Sequence, residues 1–136
     1  MTVKEAVIKF LGSECLVENI PSDKLQKAVD YIAHSKVSVN DIVAVYDATL
    51  FGSMKKGFVV TQDTIYFSSY GGVPFNAISL VRGWNKADAM TDGKSNFEIY
   101  KVGKSVTGSP WIELRDSYLI GPAGDRCAQF LNMVCP

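Results

Sequence analysis

Apolar residues recur at helical spacing at the beginning of this chain, and the pattern changes to alternation near residue 41. The first helical segment opens with Thr2–Glu5, a capping box in which the Thr hydroxyl and the Glu carboxylate each bond a backbone N–H group. Apolar side chains then fall on one face until Gly12, a natural stop signal. We therefore predict a short helix over residues 2–11.

A second amphipathic helix is predicted after Pro21, because Ser22 or Asp23 can cap it and an apolar stripe comes next. The stripe consists of Leu25, Ala28, Val29 and Ile32. We expect this helix to end near Ser35 or Lys36. Two short helices cannot bury their apolar faces on one another alone, so each is expected to dock on the rest of the chain or to contribute to a partner surface.

β-branched and aromatic residues dominate from residue 41 onward, which favours short antiparallel strands. Gln62-Asp63 and Asp92-Gly93 predict tight turns, and Gly71-Gly72 predicts a break between strands. The predicted strands are Ile42–Tyr46, Gly57–Thr61, Thr64–Ser68, Ile78–Trp84, Asn96–Val102 and Trp111–Arg115, with a shorter one near Ser105–Thr107.

The chain closes with a predicted helix that starts at Pro122 or Asp125 and carries an apolar stripe. Its inward residues are expected to be Cys127, Phe130, Leu131 and Val134. Several short strands followed by one amphipathic helix imply an antiparallel barrel or sandwich with the helix capping an open end. The fold class is therefore α+β, with a helical extension over residues 1–40 and the barrel domain over residues 41–136.

Charge and cysteine content exclude several functional classes. Fourteen basic and fourteen acidic side chains cancel, so the positive footprint of a nucleic-acid-binding domain is missing. Cys15, Cys127 and Cys135 show no CxxC spacing, which argues against a disulfide framework or a zinc site. Without an export signal or an apolar run of membrane-spanning length, the expected location is the cytoplasm, and we expect no cofactor.

The stretch Val45–Thr61, continuing through Ile65–Phe67 to Ile78, resembles the bacterial pleckstrin-homology-like domain family. The shared motif is a hairpin in which a Gly, hydrophobic residues and a Thr are followed by Ile-Tyr, and the resemblance extends over residues 41–83. The motif is a fold signature without chemistry of its own. The resemblance implies a pleckstrin-homology-like fold and a non-enzymatic binding or scaffolding module that engages a protein partner or itself.

The loop between the first two predicted strands, Thr49–Lys56, is the most informative surface. In pleckstrin-homology folds this loop often supplies lysines that hold anionic headgroups, so the resemblance implies ligand binding by Lys55, Lys56 and Phe51. Met54 is also expected to be exposed beside them, which would let the loop touch an anionic membrane surface. The alternative is that Phe51 and Met54 cover the barrel mouth while the lysines are solvated. Two lysines supply only about 2 kcal/mol of surface attraction, which favours this alternative.

Three further segments offer weaker chemical signals. His34 is the only histidine, stands at a predicted helix end and has no GxSxG nucleophile motif to accompany it. Gly103-Lys104-Ser105 resembles the end of a phosphate loop, but Glu98 stands where that loop needs its first glycine. Asp88 and Asp92 are the only plausible oxygen ligands for a metal ion. We interpret His34 and the two aspartates as solvated surface and Gly103-Lys104-Ser105 as a turn between strands, and we expect no catalysis.

Overall fold

The computed structural model describes residues 1–13, 15–49, 52–68, 70–84, 96–102, 109–115 and 124–135. These residues form an α+β structure with one four-stranded and one three-stranded antiparallel sheet. The chain divides into two compact units, Met1–Pro74 and Phe75–Pro136, and each contains one sheet. The two N-terminal helices belong to the same unit as the first four strands. The domain division after residue 40 stays a prediction.

Helix α1 covers Val3–Leu11 and begins with the predicted capping box. The backbone N–H of Glu5 donates to the Thr2 hydroxyl at 3.1 Å, and the backbone N–H of Thr2 donates to the Glu5 carboxylate at 3.3 Å. Ala6, Val7 and Leu11 form its buried face. The sequence prediction of this helix is confirmed.

Helix α2 covers Ser22–Lys27 and continues as a π-turn over Ala28–Ile32. The helix is confirmed, but the predicted cap is wrong: Pro21 occupies the N-cap position and no side chain caps the helix. The fixed φ of proline suits a helix start, so Ser22 becomes the first helical residue. Left-handed backbone at His34 and Ser35, with φ of 51° and 61°, ends the segment.

The first sheet has the order β1-β2-β3-β4, and each neighbouring pair is antiparallel. Its strands are β1 Ala44–Asp47, β2 Gly57–Val60, β3 Thr64–Phe67 and β4 Gly71–Pro74. The predicted turn between β2 and β3 is confirmed: the Thr61 hydroxyl lies 3.1 Å from the Asp63 carboxylate and accepts the Thr64 backbone N–H at 3.2 Å.

The predicted break at Gly71-Gly72 is wrong, because these residues start strand β4. Gly72 pairs with Tyr66 on β3, and a Cβ atom at Gly72 would lie 2.7 Å from the Tyr66 ring. The glycine therefore lets the aromatic ring lie against the neighbouring strand.

At the first residue of β2, Gly57 has a φ of 153°, and a Cβ there would lie 1.9 Å from the Tyr46 carbonyl oxygen. Strands β1 and β2 can approach this closely only with glycine at that position.

A hydrophobic cluster joins the π-turn to the first sheet. Its fully buried members are Ala28, Ile32, Val45, Met54 and Val59, and Ile20, Ile42 and Tyr66 pack against them. We call this set the helix–sheet cluster. Ile65 and Phe67, which alternate with Tyr66 along β3, are also fully buried, so both faces of this strand are covered.

The second sheet has the order β5-β6-β7, with β5 Ile78–Trp84, β6 Asn96–Lys101 and β7 Ile112–Arg115. A single 3-10 turn, Phe75–Ala77, comes after Pro74 and separates β4 from β5. The described strands therefore form two sheets and not a closed barrel. The Asp92-Gly93 turn and the short strand near Ser105–Thr107 lie outside the described residues.

The C-terminal helix α3 covers Gly124–Val134 and packs against β5. Cys127, Phe130 and Leu131 are buried as predicted, whereas Val134 at the last turn is only half-buried. The Asn132 amide donates to the Val81 carbonyl at 2.8 Å and accepts the Val81 backbone N–H at 2.9 Å. A side chain thus satisfies both backbone groups of an edge-strand residue, as a neighbouring strand would.

We predict that Phe130→Ala lowers the free energy of unfolding by about 3–5 kcal/mol, because it removes a fully buried ring. This ring packs edge-on against Phe75, with 6.2 Å between the two ring centres. Met133→Ala in the same helix removes a side chain that is 47% exposed and should cost less than about 1 kcal/mol. Urea denaturation followed by circular dichroism measures both. Equal losses for the two variants would contradict the position of α3 in the core.

Candidate binding surface at the loop between β1 and β2

The loop from Ala48 to Lys56 joins β1 to β2 and is described except at residues 50 and 51. Lys55 and Lys56 are exposed, in agreement with the expectation from sequence. Phe51, the third predicted ligand-binding residue, lies outside the described residues. The two lysines directly precede Gly57, so they stand at the end of the sheet where β2 begins.

Met54 is fully buried in the helix–sheet cluster. Its exposure, expected if the loop touches a membrane, is therefore wrong, and its burial agrees with the favoured alternative in which Met54 packs inward and the lysines are solvated. The backbone of Met54 is left-handed, with φ of 58°, a conformation that is uncommon for a residue other than glycine. The flexible thioether fills the space between the π-turn and the sheet, as methionine often does in irregular gaps. Burial of Met54 therefore anchors the loop and leaves the next two side chains, both lysines, in solvent.

A polar network around Asp47 holds the first half of the loop. The Lys24 ammonium lies 3.0 Å from Asp47 Oδ2, and the side chains of the two residues are only 21% and 11% exposed. Asp47 Oδ1 accepts the Thr49 backbone N–H at 2.9 Å and also the Thr49 hydroxyl. The Thr49 hydroxyl in turn accepts the Ser53 backbone N–H at 2.9 Å. These bonds tie α2, the end of β1 and the loop together.

The same network sets the protonation of Asp47. Burial alone raises the pKa of this carboxyl, but the hydrogen bonds from Thr49 and the neighbouring Lys24 cation outweigh burial and hold the pKa below its ordinary value. Asp47 is therefore charged at neutral pH and neutralises Lys24 locally.

Tyr31 is the aromatic neighbour of this loop. It is 45% exposed although Ala28, Val29 and Ile32 of the same π-turn are buried, and the Lys55 ammonium stands 6.0 Å from its ring centre. That distance is the outer limit of a cation–π contact. We call Tyr31, Lys55 and Lys56 the lysine–tyrosine surface. Sequence reasoning missed Tyr31, although its position beside the apolar stripe of α2 and the π-turn could have identified it as an exposed aromatic.

A cleft of about 570 Å³ lies at the opposite end of β2. It is lined by the segment Asn40–Val43, the turn Thr61–Asp63, Tyr66, Lys4 and two valines. Asp41 Oδ2 accepts the Ser38 backbone N–H at 3.0 Å and the Ser38 hydroxyl at 3.1 Å. Both acidic residues of the lining, Asp41 and Asp63, are exposed. Lys4 forms an ion pair with Glu18 at 3.2 Å.

The remaining chemical candidates are not assembled into a site by the described residues. His34 is exposed. The described segments contain no group of three or more His, Cys, Asp or Glu side chains arranged to hold a metal ion. Asp88, Asp92 and Gly103–Ser105 lie outside them. Cys15, Cys127 and Cys135 are thiols and not half-cystines. Burial raises the pKa of Cys135 to about 11, which keeps this thiol protonated and unreactive at neutral pH.

Within the part of the chain that the structure describes, no helix has the length and apolar character needed to cross a membrane. No protein-family model, curated protein or solved structure matches the chain. A function therefore has to be inferred from its own side chains, and the similarity to bacterial pleckstrin-homology-like domains stays a prediction.

We predict that Asp47→Asn lowers the free energy of unfolding by roughly 1–2 kcal/mol at pH 7, because it weakens the bonds from Lys24 and Thr49. A folded-state pKa below that of the unfolded chain contributes stability above the unfolded pKa of about 3.9. This contribution is lost as the pH falls through the folded pKa. Urea denaturation should therefore show the two proteins converging below about pH 4.

The matched control is Asp30→Asn, which changes an exposed carboxylate whose partner is the exposed Gln26 side chain. It should alter stability by less than about 0.5 kcal/mol at either pH. An Asp47→Asn protein as stable as the parent at pH 7 would show that the network does not hold the loop.

Proposed function

We propose that the chain is a non-enzymatic binding module that engages a protein partner, or a second copy of itself, through the lysine–tyrosine surface. The observation that carries this proposal is the exposure of Tyr31 beside the Lys55 ammonium, in a π-turn whose Ala28, Val29 and Ile32 are buried. Tyrosine supplies a large and rigid contact area at a small cost in conformational entropy. An exposed tyrosine next to cations suits a partner that presents both apolar and acidic groups.

Preorganisation of the loop supports the same proposal. The Met54 side chain is buried in the helix–sheet cluster, and Asp47 bonds both Thr49 of the loop and Lys24 of α2. Lys55 and Lys56 therefore follow backbone that these contacts already hold in place. A partner that binds there does not have to order the backbone of residues 52–56, and such ordering is a main cost of association.

The finer description of the fold is part of this proposal. We propose that the chain is a pleckstrin-homology-like variant, and the order of its elements supports this: consecutive antiparallel strands in two sheets, followed by a C-terminal helix. Gly57 and Thr61 stand at the tight strand entry and at the hairpin, where the shared motif needs them. Members of that family act as binding or scaffolding modules.

The proposal predicts that immobilised protein captures a partner from a lysate of its source organism in a Tyr31-dependent way. Tyr31→Ala should weaken capture roughly tenfold or more, as truncation of an interface aromatic commonly does. Tyr70→Ala is the matched control, because Tyr70 is 49% exposed and Tyr31 45%. Capture that both variants retain, or that both lose, would contradict an interface at this surface.

A second candidate function is binding of an anionic lipid surface by the same lysines, favoured by the exposure of both Lys55 and Lys56 at one end of the sheet. Tyr31 could lie at the headgroup level beside them. The attraction of two lysines is only about 2 kcal/mol, and burial of Met54 removes one apolar contact. This candidate therefore ranks below the protein-binding one.

Sedimentation with liposomes tests the lipid candidate. It predicts that vesicles containing phosphatidylserine sediment the protein, that pure phosphatidylcholine vesicles do not, and that Lys55→Glu with Lys56→Glu abolishes sedimentation. Lys36→Glu, at an exposed lysine after the π-turn, is the control and should leave it unchanged. Sedimentation that survives the double substitution would rule this candidate out.

A further inference from the structure

Lys27 extends the lysine–tyrosine surface along the helix. It is the last residue of α2 and stands four positions before Tyr31, which lies in the π-turn that continues the helix. Side chains four positions apart on a helix are neighbours, with about 5–6 Å between their Cβ atoms. Lys27 is exposed, as Tyr31 is. The Tyr31 ring therefore has one cation beside it on the helix and a second, Lys55, contributed by the loop.

Neither of these two cations is neutralised by an ion pair. Among the described residues, no carboxylate pairs with the ammonium of Lys27 or of Lys55, and Asp23, one helical turn before Lys27, is no exception. Lys24 differs from them, because its ammonium lies 3.0 Å from the Asp47 carboxylate and the charges of that pair cancel. The charges of Lys27 and Lys55 are thus available to an anionic group of another molecule.

One carboxylate lies next to this surface. Asp30 immediately precedes Tyr31 and is exposed, and its Oδ1 atom accepts a hydrogen bond from the Gln26 amide at 3.0 Å. Gln26 and Asp30 are four positions apart, so they form a stripe of the helix beside the one formed by Lys27 and Tyr31. The bond from Gln26 directs the carboxylate along its own stripe and does not cancel its charge. Positive charge still exceeds negative charge beside the Tyr31 ring, with two cations against one carboxylate.

A tyrosine between two cations has a definite chemical complement. Each ammonium group offers three hydrogen-bond donors and no acceptor, and the Tyr31 hydroxyl can donate as well. Carboxylates accept from all of these donors, and hydrogen bonds between charged groups are the stronger ones. The ring itself offers an apolar face. A segment that fits the surface therefore carries carboxylates on both sides of an apolar side chain.

We propose that the surface formed by Lys27, Tyr31 and Lys55 binds an acidic segment of a protein partner, in which carboxylates flank an apolar residue. The inference rests on the proposed protein-binding function and names the chemistry of the partner. The two ammonium groups bind the carboxylates, and the apolar residue packs against the Tyr31 ring. A nucleic acid is not the favoured polyanion, because the fourteen basic and fourteen acidic side chains of the chain cancel.

The test measures the fluorescence anisotropy of a labelled peptide in which a Leu-Phe pair is flanked on both sides by glutamates. The full chain should bind this peptide, and it should bind a second peptide, with glutamines in place of the glutamates, about tenfold or more weakly. Raising the salt concentration should weaken binding of the first peptide only. Lys27→Gln and Lys55→Gln should each weaken binding about threefold, which is the range of an exposed charge pair.

Lys9→Gln with Lys101→Gln is the matched control for the double variant Lys27→Gln with Lys55→Gln. Lys9 and Lys101 are also exposed, and their ammonium groups stand 5.3 and 5.4 Å from the ring centres of the aromatic residues beside them. The control changes the net charge by the same amount and should leave peptide binding unchanged. Asp30→Asn is the variant of opposite sign and should strengthen binding about twofold, because it removes a repelling carboxylate.

Three results overturn the inference: a parent that does not bind the glutamate peptide, equal binding of the two peptides, or equal weakening by the two pairs of lysine substitutions. A parent that sediments with phosphatidylserine vesicles and does not bind the peptide would assign the cations to a lipid surface instead.

Failure of this inference can be told apart from failure of the proposed function. Tyr31-dependent capture of a protein that is unchanged by Lys27→Gln with Lys55→Gln retains the binding function and removes only the acidic partner. Absence of both peptide binding and Tyr31-dependent capture removes the binding function as well.

Discussion

The burial of Met54 is the constraint on which the candidate surface depends. Its side chain lies in the same cluster as Ala28 and Ile32 of the π-turn and Val45 and Val59 of the sheet. The backbone at Met54 is left-handed, with φ of 58°. Because the thioether is held inside, the charged residues that come after it are held outside. A charged patch is thus positioned by a hydrophobic contact.

Regular periodicity allowed much of the fold to be predicted. The capping box at Thr2 and the strands around Gly57 and Ile65 depend on local patterns, and the structure confirms them. Strand β4 could not be predicted, because Gly72 is needed by the Tyr66 ring on the neighbouring strand. Glycine usually weakens a strand, so a requirement set by a cross-strand neighbour has no signature in the local sequence.

Part of the candidate surface could also be predicted from the sequence, and part of it could not. Exposure of Lys55 and Lys56 could be predicted from their charge, since lysine is seldom buried without a partner. Exposure of Tyr31 and burial of Met54 depend on how the π-turn meets the sheet, which the residue types alone do not determine. The cleft joins residues around Asp41 to a turn about 20 positions later in the chain, so only the pairing of β1 with β2 brings them together.

The carboxylates of the first unit show how a hydrogen-bond partner decides the role of a charge. Asp47 bonds a lysine, so its negative charge is cancelled locally and its contribution is structural. Asp63 interacts with the hydroxyls of Thr61 and Thr64, and uncharged partners orient a carboxylate without cancelling its field. The same residue type therefore fixes the loop at one end of β2 and leaves an exposed negative charge at the other. The field of such an exposed charge extends over about 10 Å at moderate ionic strength.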